Sequence, residues 1–154
     1  MRKTYQILAG TIAVCVVLQA AFIAYAIGGV FTWIDEGNTL DKSVVEGWDA
    51  NPPTFEGSLG SFFHFFILGT VLIPLLGLIL LLVSFFAKVP RGPMLAGIVF
   101  LAIVAQWLLG TFAASTGTPL LSLVHGLNAF IIFGAAVAAA RAAKTVTESP
   151  PVAV

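Results

Sequence analysis

Four long apolar stretches separated by short polar ones set the pattern of this chain. They run over residues 5–28, 58–87, 94–113 and 120–143, and about 20 apolar residues suffice to cross a bilayer. Each therefore predicts a transmembrane helix. The second is longer than a crossing needs, so it is tilted or projects beyond the bilayer. It contains Pro74, which lacks the N–H that would bond the carbonyl of Thr70, and a kink is expected there. The predicted fold is all-α, an antiparallel four-helix bundle integral to the membrane, in one domain covering residues 1–154.

Between the first two spans lies the only sizeable polar segment, residues 31–57. It holds six of the seven acidic residues (Asp35, Glu36, Asp41, Glu46, Asp49 and Glu56) against one lysine, Lys42. Gly37-Asn38 and Asn51-Pro-Pro53 are turn signals, and Trp33 and Trp48 suit a membrane–water boundary. This segment reads as a cap on the membrane surface. Lys88-Val-Pro-Arg-Gly-Pro93 is a short basic turn and Ser115-Thr-Gly-Thr-Pro119 a tight polar one, with Pro119 pre-set to open the last helix. Residues 145–154 read as a short disordered tail.

Composition agrees with the spans. The chain is 59% hydrophobic and 9% charged, against roughly 25% charged in soluble domains. The formal net charge is zero, which implies no polyanionic partner, and no nucleic-acid motif is present. The lone Cys15 excludes an internal disulfide, a thiolate zinc or iron–sulfur site, and covalent attachment through Cys-x-x-Cys-His. Ala24-Tyr-Ala26 resembles a signal-peptidase site, but the apolar run exceeds the about 7–15 residues of a signal core. A retained helix is expected. Arg2, Lys3, Lys88, Arg91, Arg141 and Lys144, six of the seven basic residues, fall on one side of a four-span chain. The positive-inside rule puts that side, with both termini, in the cytoplasm of a plasma (inner) membrane.

Inside these apolar spans the chain carries its only two histidines, in matching surroundings. Leu59-Gly-Ser-Phe-Phe-His64 and Leu120-Leu-Ser-Leu-Val-His125 repeat Leu, Ser and His at one spacing. An ionisable side chain within a span is costly and marks a functional site by default. Each His falls five or six residues into a helix that starts outside, roughly 8–9 Å deep at 1.5 Å per residue. The second and fourth helices of such a bundle are diagonal partners, and bundle interiors are where facing side chains build cofactor sites. The expected ligand is haem b, with His64 and His125 as axial imidazoles near the outer face. With both axial positions filled, no site is left for oxygen chemistry, so a redox carrier is favoured over a catalyst.

Further polar residues accompany the pair. Ser61 and Ser122 each lie three residues before a His; they either reach a haem propionate or a bridging water, or bond back to helix carbonyls. Asn128 follows His125 by three. Gln19 and Gln106 sit in the first and third spans, as Val17-Leu-Gln19 and Val104-Ala-Gln106, and serve as interhelical hydrogen bonds or cofactor contacts. The chain thus reads as two copies of a Gln-helix followed by a His-helix, an internal two-fold pseudo-repeat. Gly57, Gly60, Gly69 and Gly126 leave room for a flat ring, and Phe62, Phe63, Phe65 and Phe66 divide between lipid and the site.

This arrangement resembles one four-helix half of the haem A synthase family, in which the second and fourth helices present haem-ligating histidines, and is similar in plan to small b-type membrane cytochromes. The resemblance rests on His64, His125 with its Gly126-Leu-Asn128, and the outward loop. It implies the haem-binding plan. The chain departs from the synthase in lacking a second half, in lacking loop cysteines, and in carrying Ser61 where a glutamate typically precedes the histidine. Oxidation of a haem methyl group is therefore not implied. One haem in the outer leaflet cannot carry electrons across alone, so a quinol, a neighbouring membrane redox subunit or an extracytoplasmic donor is expected, with electron transfer or haem handling as the role. Membrane lipid surrounds the spans, the acidic loop offers a face for a basic partner, and a homo-oligomer is compatible. Two other readings of the same residues are a cofactor-free accessory subunit of a larger membrane complex and a quinone- or lipid-binding protein.

Overall fold

The computed structural model describes residues 1–48 and 50–148, with side chains described as far as Lys144. Its elements are α1 (Arg2–Asp35), the short α2 (Lys42–Gly47), α3 (Ser58–Ser84), α4 (Gly92–Thr116) and α5 (Pro119–Glu148). No strand occurs among the described residues. Four of the helices are long and apolar enough to cross a membrane. The helices outrun the apolar stretches. α1 continues past Gly28 to Asp35, and α5 runs to Glu148, into the tail expected to be disordered; residues 149–154 lie outside the described ones. Hydrophobicity marks where a side chain prefers lipid, whereas a helix persists until its hydrogen bonds fail or a cap ends it.

Each long helix packs chiefly on two neighbours. α1 lies against α3 and α5, and α4 lies against α3 and α5, so the two His-helices are separated by the two Gln-helices around one core. That core is built from small and branched residues, including Ala9, Ile12, Val99, Ala136 and Ala139. Small side chains let helix backbones approach, which is how helices associate where no water drives burial. The fully buried Tyr5 donates its hydroxyl hydrogen to the Gly92 carbonyl at 3.0 Å, fastening the start of α1 beside the α3–α4 turn.

The connections follow from turn chemistry. Gly117, at φ +60°, ends α4 in the left-handed conformation that glycine adopts without cost, and Pro119 opens α5 at once. In the acidic loop, Asp41 caps α2 by accepting from the Val44 N–H at 3.1 Å, and Trp48 stacks edge-on with Phe55 at 6.0 Å.

α3 changes its hydrogen-bond register ahead of Pro74. Its stretch Phe63–Leu72 is π-helical, with the Ile73 N–H donating to the Leu68 carbonyl and Thr70 Oγ1 to the Phe65 carbonyl at 2.9 Å, each five residues back. α-Helical register resumes at Ile73-Pro74. In a continuous α-helix the proline ring would press on the carbonyl four residues before it. The wider register ends where that ring enters. Such π segments favour functional sites, and His64 is the second residue of this one.

Candidate functional site

The two histidines meet. Their ring centres lie 6.4 Å apart, with the ring planes at 61°. His64 is 9% exposed and His125 half-buried, and both border the same internal space. α3 presents His64 from its π segment, and α5 presents His125 from its second turn.

Each ring is held by the Gln-helix beside it. His64 Nδ1 is 2.8 Å from the Gln19 carbonyl oxygen, and His125 Nδ1 is 3.1 Å from that of Gln106. A carbonyl only accepts, so each Nδ1 carries the proton and each Nε2 bears the lone pair. The glutamine side chains complete the clasp. Gln19 Nε2 donates to the His64 carbonyl at 3.2 Å, and Gln106 Nε2 lies 3.2 Å from His125 Nε2. Asn128 Nδ2 donates to the Ala102 carbonyl and to Gln106 Oε1, both at 2.8 Å.

Two clefts flank the pair. The larger, about 760 Å³, is lined by Ser61, Thr70, Thr111 and Ser115 and by Val45 and Trp48 of the acidic loop. The smaller, about 460 Å³, is walled by Val16, Val17, Ala20, Ala129, Phe130 and Phe133. Both reach His64, His125, Gln19 and Gln106. One is edged with hydroxyls, the other almost wholly with hydrocarbon. Among the described residues no three His, Cys, Asp or Glu side chains converge, so a metal ion here would have two protein ligands and need the rest from elsewhere.

His64, His125, Gln19 and Gln106 are thus brought together, and Ser61 borders the larger cleft. Asn128 is buried but borders neither cleft; its amide is engaged between α4 and α5. Ser122 is exposed and borders neither cleft. Of the glycines expected to make room, Gly69 borders the larger cleft and Gly126 the smaller. Sequence reasoning missed Gly110, where an added Cβ would lie 3.0 Å from His125 Cε1. The missed signal for the repeat is Leu8-Ala-Gly10 against Leu95-Ala-Gly97, in the same register as Gln19 against Gln106. In that register residues 5–23 and 92–110 share their burial class at all but three positions.

Comparison with protein-family models, with curated proteins and with solved structures gives no match for this chain.

Proposed function

We propose that this protein is a four-span, antiparallel membrane bundle that holds one haem b between His64 and His125, near the outer face, and serves electron transfer or haem handling. One observation carries the reading. A metal ion bound by both rings sets their centres about 6 Å apart, given metal–nitrogen bonds of about 2.0–2.1 Å, and the observed separation is 6.4 Å. The protonation pattern agrees: an Nδ1–H held by a carbonyl is how ligating imidazoles are commonly oriented, with Nε2 left for the metal. A porphyrin brings four nitrogens, which matches a site with two protein ligands. The hydroxyl-edged cleft suits propionates and the hydrocarbon-walled cleft the opposite edge of the ring. The larger cleft also lies within the about 300–1,000 Å³ usual for ligand pockets. When bound, haem supplies one-electron redox chemistry. A quinol, a membrane redox subunit or an extracytoplasmic donor is the corresponding partner.

The test is the visible spectrum of purified protein, expressed with haem supplied, before and after dithionite. A b-type spectrum with a low-spin component is expected, altered by His64→Ala and by His125→Ala. Colourless, well-folded protein would overturn the reading. It would favour a cofactor-free accessory subunit, for which the internal pairing of both glutamines with both histidines is the supporting observation.

A further inference from the structure

We infer that the two histidines are unequal: His64 is the standing ligand, while His125 is a second ligand held in reserve by an amide latch, Asn128–Gln106. The inference rests on the haem reading above and deepens it.

The Ala102 carbonyl can only accept, so the atom of Asn128 facing it at 2.8 Å is the nitrogen. That nitrogen also donates to Gln106, again at 2.8 Å, so the Gln106 oxygen faces Asn128. The Gln106 nitrogen is then the atom 3.2 Å from His125 Nε2, and an amide nitrogen only donates. His125 Nε2 must accept, consistent with its proton residing on Nδ1 toward the Gln106 carbonyl. The lone pair a metal would take is therefore already engaged.

The other half of the repeat differs at this one point. Gln19 sends its amide to the His64 main-chain carbonyl, not to the ring. The residue three beyond His64 is Ile67, so nothing there corresponds to Asn128. Among the described residues His64 Nε2 has no hydrogen-bond partner, and the His64 side chain lines both clefts. Its lone pair stands ready. Iron can thus be taken by His64 alone and closed in when Gln106 turns its amide away from His125. Gln106 and Asn128 are positioning residues in this scheme, and reversible single-His ligation suits a protein that receives or passes on haem.

Haem titration into the purified full-length chain, followed by visible spectra and carbon monoxide binding, tests this. His125→Ala should keep haem in a high-spin, carbon monoxide-accessible form, whereas His64→Ala should weaken haem binding more. Gln106→Met removes the donor at similar volume and should raise the low-spin to high-spin ratio about fivefold, the equivalent of one hydrogen bond of about 1 kcal/mol. Asn128→Leu, which frees Gln106 to turn, should move the ratio the same way. Equal weakening by the two histidine variants, or an unchanged ratio in both amide variants, would overturn the latch while leaving bis-imidazole ligation standing. A wild-type protein that takes up no haem would remove the haem reading itself, and the latch with it.

Discussion

A histidine packed among apolar side chains needs partners for its ring nitrogens, and here main-chain carbonyls of Gln19 and Gln106 satisfy one on each ring. Residue types in the sequence pointed to the participants, because polar side chains are rare in these spans. The acceptors were not legible, since every residue has a carbonyl. Ser122 and Asn128 differ in burial for a geometric reason: at about 100° per residue, positions three before and three after a His lie on opposite flanks of it. In α5 the flank turned inward is that of Asn128, and Ser122 is exposed. Gly110 supplies a sharp prediction. Glycine to alanine within a helix gains up to about 1 kcal/mol, while overpacking costs about 1–3 kcal/mol. At Gly110 the new methyl would lie 3.0 Å from a ring pinned through both nitrogens, so overpacking wins and thermal unfolding of Gly110→Ala should come at lower temperature. Gly97→Ala, where no atom lies within 4 Å, should leave stability unchanged or raised.

Among the elements, the four long helices could be read directly from hydrophobic runs, but α2 and the π segment of α3 could not. A six-residue helix carries too little periodicity to register, and a hydrogen-bond shift from four to five residues leaves side-chain polarity untouched. The cap of α2 makes its stability pH-dependent. The Ser43 hydroxyl, at 2.6 Å, and then the Val44 N–H hold the Asp41 carboxyl below the ordinary carboxylate range. A lowered folded value means the cap contributes in full above the unfolded pKa of about 3.9 and is lost as pH falls through the folded value. Amide exchange at Val44, which intrinsically slows as pH falls, should therefore slow by less than the intrinsic amount on acidification, leaving an excess over the intrinsic rate. In Asp41→Asn, which keeps an acceptor without a titrating group, that excess should vanish. The exposed Lys42–Glu46 pair, 3.4 Å apart, offers little compensation. Because Val45 and Trp48 line the larger cleft, loosening α2 should also widen access to the histidines.

For the molecule as a whole, the repeat was visible in the sequence as four residues and becomes a shared burial pattern along α1 and α4 in three dimensions. Its breadth was hidden because burial is conserved between the halves where identity is not: Ile12 answers to Val99 and Val16 to Ile103. The proposed orientation is open to direct test. A cysteine placed at Asn38 should react with a membrane-impermeant thiol reagent added outside intact cells, and one placed at Lys88 should not. The native Cys15 is buried and should stay silent; the reverse labelling would invert the topology. The two Gln–His clasps also close chains of different length. Gln106 and His125 are 19 residues apart across the Gly117 turn, while Gln19 and His64 are 45 apart across the acidic loop. Closing the longer segment costs more chain entropy, by about 0.8 kcal/mol. Assembly should accordingly begin with the C-terminal helical hairpin, the N-terminal half docking onto it afterwards. The same inequality makes the N-terminal clasp the one that opens first under thermal or mechanical stress.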